Sequence, residues 1–196
     1  MNHIESPISG VKLDNNFDDL EYISRVLQGE TKAFEVLIEK YQLLIKKLAY
    51  NYLHHTEDVL DASQDIFVEI YKSLPRFDLS KGFLPWLYSV ALNTLKKKYR
   101  KIKGHTLVIK KAQEQKREDI EKNEIHNRAQ EDRMVVKEAV HKLPEKLREI
   151  IILYYYENLK VSEISEITGL SDENIKSRLF RARKKLKEDL QDMQPF

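Results

Sequence analysis

The chain contains no cysteine, which excludes disulfide staples, thiolate metal sites and cysteine nucleophiles. Glycine and proline are scarce, five of each in 196 residues, too few for a turn-rich β-sandwich or a glycine-rich nucleotide-binding α/β fold. No apolar run approaches the roughly eighteen residues that a membrane-spanning helix requires. The opening MNHIESPISG has neither the basic start nor the apolar centre of an export signal. Together these absences predict an all-α, cytoplasmic protein with no membrane insertion. Reactive groupings are equally sparse. The six histidines (3, 54, 55, 105, 126 and 141) show no metal-ligand spacing, and the sequence has neither a Walker-type loop nor a G-x-S-x-G elbow. The paired carboxylates Asp18–Asp19 and Glu131–Asp132 fall on segments expected to be solvated. No enzyme activity, cofactor or metal is expected.

Charge is abundant, at 34% of residues, and unevenly placed. Residues 96–103 carry six basic side chains and no acid, and residues 176–187 carry seven and no acid. Against a net charge of +2, these two runs leave the remainder of the chain at −11. Two cationic patches on an acidic body suggest contact with a polyanion at two places. The competing reading of either run alone is a solvated helix end.

Apolar residues recur at helical spacing along most of the chain. A tail over residues 1–16 precedes a first module over 17–103. In it, Leu20, Ile23, Val26 and Leu27 form one stripe, stopped at Gly29. A second helix is predicted from about Thr31 to Leu53, and a third from about Glu57 to Leu74, the latter with Leu60, Ile66, Phe67 and Ile70 inward. After a loop at 76–82, a fourth runs from Phe83 to about Lys101 with Pro85 in its first turn. Residues 104–133 lose the pattern and read as a polar, partly helical linker. Helical spacing returns in a second module over 134–190, followed by a short tail at 191–196.

In the second module, Val161, Ile164 and Ile167 line one short helix, and Ile175, Leu179, Ala182 and Leu186 line another. Gly169 supplies the permissive backbone of the turn between them, and Ser171 suits the N-cap. This is the pattern of a helix-turn-helix. At about 100° per residue, the face opposite the apolar one displays Glu173, Asn174, Ser177, Arg181 and Lys184. Asn174, Ser177 and Arg181 can reach base edges, and Arg181 suits bidentate contact with guanine. Lys176, Arg178, Lys184 and Lys185 suit phosphates. In the first module, Phe77, Phe83, Trp86 and Tyr88 are either core aromatics or stacking surfaces for unpaired bases, with residues 96–103 beside them to hold a backbone.

The chain resembles the extracytoplasmic-function (ECF) group of bacterial RNA polymerase sigma factors, over most of residues 17–190. GETKAFEVLIEKY (29–41) looks like the start of that group's region 2, and DASQDIFVEIYKSL (61–74) is similar to region 2.2. FLPWLYSVALNTLKKKYRK (83–101) is similar to regions 2.3 and 2.4, and residues 143–186 resemble region 4. The resemblance implies a region 2 helical bundle and a region 4 helix-turn-helix joined by the polar linker. It implies docking of Asp61, Gln64, Asp65 and Glu69 on the β′ clamp helices of core RNA polymerase; Phe67 matches the same surface or belongs to the core. It further implies capture of an opened strand at the promoter −10 element by Phe77, Phe83, Trp86 and Asn93. Lys96, Lys97, Lys98, Arg100 and Lys101 would hold the adjacent backbone. Region 4 would read the −35 element with Asn174, Ser177, Arg178 and Arg181 while resting on the β flap. Anti-sigma factors are frequent partners in this group. A conventional helix-turn-helix regulator with an N-terminal sensor or dimerisation module explains residues 134–190 equally well, but not the basic run beside Trp86.

Overall fold

A computed structural model describes residues 16–53, 56–113 and 128–192, and no strand occurs among them. The predicted tails up to residue 15 and from 193, the pair His54–His55, and linker residues 114–127 lie outside the described residues. Helices α1 (Asn16–Leu27), α2 (Lys32–Leu53), α3 (Thr56–Ser73) and α4 (Phe83–Gln113) build the first module. Helices α5 (Arg128–Lys142), α6 (Glu145–Ile151), α7 (Val161–Thr168) and α8 (Asp172–Asp192) build the second, α6 running into a π turn at Ile152–Tyr156.

Local chemistry sets the boundaries. Gly29, at φ 94°, reverses the chain between α1 and α2, a left-handed conformation that a side chain resists. The α3 helix tightens into a single 3-10 turn, Leu74–Arg76, because Pro75 cannot donate to a continuing ladder. The π turn ends at Asn158, at φ 57°, where the Leu159 N–H returns to the Leu153 carbonyl at 3.1 Å. Asn is among the few residues that take this cap conformation readily.

The two modules share one continuous core. Leu48, Tyr52 and Leu95 of the first and Ile150, Leu153 and Ile164 of the second belong to the same buried cluster. Burying each large side chain of this kind contributes about 1.5–3 kcal/mol.

Three expectations need correction. The α4 helix does not stop near Lys101 but continues to Gln113, into the predicted linker. Leu27 and Leu60 are exposed, at 42% and 61%, because the helix packing turns Val26 and Val59 inward instead. Asp19 is buried, accepting hydrogen bonds from Lys40 Nζ at 2.5 Å and the Tyr41 hydroxyl at 2.6 Å. Phe67 keeps its inward position, half-buried and packed against the core.

Candidate nucleic-acid interface

The helix-turn-helix forms from α7 and α8. The Lys160 N–H donates to Glu163 at 2.6 Å at the start of α7. Gly169, at φ 69°, turns the chain, and its N–H closes on the Ser165 carbonyl at 2.8 Å. Ser171 Oγ accepts from the Asn174 N–H at 3.4 Å, capping α8 as its sequence suggested. Ile175, Leu179 and Ala182 are buried, which fixes the rotation of α8. Asn174, Lys176, Ser177, Arg181 and Lys184 are therefore exposed, while Arg178 and Lys185 are half-buried. Arg181 folds back on its own helix, donating to Ser177 Oγ at 2.9 Å. Arg183 is directed elsewhere, with Nε 2.8 Å from the Tyr155 hydroxyl.

One exposed residue on this face escaped the sequence reading. Phe180 is 69% exposed, although its side chain is among the most apolar on the helix. It lies about 60° from Ser177 around the helix axis, and the helical wheel alone could have found it. An apolar ring beside base-reading polar groups can contact a thymine methyl.

In the first module, the aromatic residues divide into support and surface. Phe83 is fully buried, edge-on to Tyr41 at 5.6 Å and to Phe77 at 5.6 Å. Phe77 is 7% exposed. Neither ring presents a free face, so the predicted stacking positions Phe77 and Phe83 act here as a platform. Trp86 rests on both, at 5.0 Å from Phe77 and 5.6 Å from Phe83, and is only half-buried. Burial and its bond to Asp19 push the Tyr41 hydroxyl pKa up, so this support stays protonated. The loop beside Trp86 is fixed by Asp78, which accepts from the Ser80 N–H at 3.0 Å and hydroxyl at 2.7 Å. Those bonds hold its carboxyl below the usual range.

The cations at 96–101 do not act alike. Lys97 and Lys101 are exposed. Lys96 meets Glu149 at 2.6 Å, and Arg100 meets Glu145 through two hydrogen bonds of 3.0 and 2.6 Å. Lys98 turns to the predicted docking surface, paired with Asp61 and, at 2.8 Å, with Asp65. Burial lowers its pKa, but the bonds to both aspartates outweigh this and raise it. Gln64 is exposed beside these aspartates in sequence and Glu69 is half-buried. Asn93 lines a cleft of about 500 Å³ between the modules, with Arg178 across from it. A second, apolar groove of about 850 Å³ runs between α5, the π turn and α8, lined by Val136, Val140, Tyr155, Leu186 and Leu190.

Among the described residues no group of histidines and carboxylates could hold a metal, and no helix is long and apolar enough to cross a membrane. The family model for Sigma-70 region 2 matches residues 37–104, and that for Sigma-70 region 4 matches residues 133–186. The ECF RNA polymerase sigma-E factor of Escherichia coli K12 is 30% identical over 190 residues, covering 92% of this chain and 98% of that protein. The RNA polymerase sigma-H factor of Pseudomonas aeruginosa is 28% identical over 183 residues, covering 89% and 95%. Among solved structures, CnrH in complex with the cytosolic domain of CnrY superposes with a TM-score of 0.65 at 24% identity, covering 91% of this chain and 99% of that one. The sigma factor RpoE of Bartonella quintana, solved with the anti-sigma factor NepR, gives a TM-score of 0.59 at 23% identity, covering 82% and 98%. With both regions in order and a two-module helical fold around them, the chain belongs to the ECF group of RNA polymerase sigma factors, the subunits that direct core polymerase to its promoters.

Proposed function

We propose that this sigma factor grips a promoter at two points and leaves catalysis to the polymerase. The observation that carries the reading is the contrast between the two DNA-facing surfaces. The α8 surface is a polar and cationic helix face around Asn174, Ser177 and Arg181, shaped for a duplex groove. The α4 surface is a half-buried indole on an aromatic platform, with exposed Lys97 and Lys101 three to four turns further along the same helix, suited to an unstacked base and the backbone that follows it.

Region 4 then reads the −35 element, with Lys176, Lys184 and Lys185 on phosphates and Phe180 beside a base methyl. Region 2 holds the −10 strand on Trp86, with Asn93 at the edge of the site and Phe77 and Phe83 as support. Asp61, Gln64, Asp65 and Glu69 dock on the β′ clamp helices, and the apolar groove beside α8 takes the β flap. An anti-sigma factor would act by covering these surfaces. The protein works in the cytoplasm, where its polymerase is.

Reconstitution tests this directly. Purified core polymerase plus this chain should produce defined transcripts from a subset of promoters, and single-base changes in their −35 and −10 elements should abolish them. Tight duplex binding by the chain alone, with no association with core enzyme, would instead support the conventional helix-turn-helix regulator.

A further inference from the structure

Three cations stand outside the ion pairs that join the two modules. Lys96 and Arg100 of α4 are held by Glu149 and Glu145 of α6. Lys97 of α4, Lys146 of α6 and Arg178 of α8 have no carboxylate within ion-pair distance among the described residues. All three line the intermodule cleft of about 500 Å³. Lys97 and Lys146 are exposed on its walls, and Arg178 is half-buried. Asn93, also exposed there, adds an amide donor. The fold thus gathers uncompensated positive charge from three helices around one small space. Their mutual repulsion is a cost that an anion between them turns into attraction.

We propose that this cleft is a binding site for a compact polyphosphate of two or three phosphoryl groups, free or carried by a nucleotide. Lys97 holds it from the first module, and Lys146 and Arg178 hold it from the second.

Size, charge and geometry select that class. A space of about 500 Å³ falls within the range of small-molecule sites, roughly 300–1,000 Å³. The ligand must carry several negative charges at short spacing to answer three cations together. It must also present acceptor oxygens in several directions, because the donors come from three helices; tetrahedral phosphoryl groups do so, and Arg and Lys are their usual partners. Promoter DNA does not meet these requirements. Under the reading proposed above, Lys97 serves the −10 element and Arg178 the −35 element, roughly 85 Å apart at about 3.4 Å per base pair. One duplex cannot take both residues across a cleft of this size, whereas a di- or triphosphate can touch both walls at once.

Calorimetric titration of the full chain at about 0.15 M salt, where diffuse surface charge is screened, tests the site. Sodium tripolyphosphate should bind one to one with a dissociation constant below about 1 mM. Inorganic phosphate should bind at least about tenfold more weakly, because it cannot span both walls. Lys97→Ala, Lys146→Ala and Arg178→Ala should each weaken tripolyphosphate binding about tenfold, the loss of one charge-assisted hydrogen bond. Lys46→Ala, which removes an exposed cation of α2 outside the cleft, should leave it unchanged. Adenosine and guanosine triphosphates distinguish the sources. Tighter binding than tripolyphosphate assigns the site to a nucleotide, equal or weaker binding assigns it to the phosphate chain alone, and both uphold it. Absence of saturable tripolyphosphate binding, or an equal loss with Lys46→Ala, would overturn the site. Loss confined to the variants of one module would overturn its placement between the two. If Arg178→Ala lowers helicity, Lys97→Ala and Lys146→Ala, at exposed positions in different modules, carry the same test. Failure of the promoter reading looks different: the parent chain would not support promoter-specific transcription, and the calorimetry would be unaffected.

Discussion

Lys98 and Asp65, 33 positions apart in the chain, are joined at 2.8 Å, and the same ammonium also holds Asp61. The pairing ties the middle of a cationic run to the acidic face of α3. Lys98 is 14% exposed at its side chain, so its ammonium is committed to these two aspartates.

Lys98→Ala should therefore leave the salt dependence of promoter binding by the assembled polymerase unchanged. Lys97→Ala or Lys101→Ala should reduce the slope of log affinity against log salt by about 0.7–0.9 each. Lys98→Ala should instead weaken association with core enzyme, because Asp61 and Asp65 lose the partner that orients them. Titration of labelled core polymerase, together with filter binding across a salt series, separates the two effects.

Arg181 rests on Ser177 in the free chain, and the proposed −35 reading requires it to let go to reach a base. Arg181→Ala should cost about 1–3 kcal/mol in −35 affinity and relax discrimination at one base pair. Phe180→Ala should lower affinity less, and its effect should vanish on a site whose contacted thymine is replaced by uracil. Competition binding with base-substituted duplexes checks both outcomes.

Glu157 is buried against Lys47, Asn51 and Tyr88, and burial raises its pKa despite these partners. A carboxyl raised in the folded state binds its proton more readily there than in the unfolded chain. Its stabilising contribution is thus present below the ordinary carboxylate range, near pH 4, and is lost as pH rises through the raised value. Glu145 and Asp78 are shifted downward and act in the opposite sense. Comparison with Glu157→Gln isolates the one group: from about pH 4 upward, the parent chain should lose melting temperature relative to the variant. A difference that stays flat across that range would contradict the assignment.

The helix-turn-helix was legible because its determinants are local. Ile175, Leu179 and Ala182 repeat at the helical period, and Gly169 and Ser171 mark the turn and the cap within a few residues. The buried charges were not legible. Arg148, Glu149 and Glu157 carry no local sign of burial, since their partners lie on helices formed by distant parts of the chain: Glu157 meets Lys47 across 110 positions. Asp19 misled for the same reason, its partners Lys40 and Tyr41 arriving only when α2 packs on α1. Periodicity also could not separate Leu60 from Val59, because neighbouring apolar residues compete for one inward direction and tertiary packing decides between them. Among the aromatics at 77–86, composition could not say which ring is support; their stacking order leaves Trp86 as the half-exposed one.

Permanganate footprinting of a reconstituted promoter complex tests the two-point grip most directly, because it reads strand opening and duplex protection on one template. With the parent chain, thymines at the −10 element should become reactive while the −35 element is protected. With Trp86→Ala, reactivity should fall steeply and −35 protection should persist. Loss of both together in a variant that keeps its helicity, or full reactivity without Trp86, would contradict a division of labour between α4 and α8.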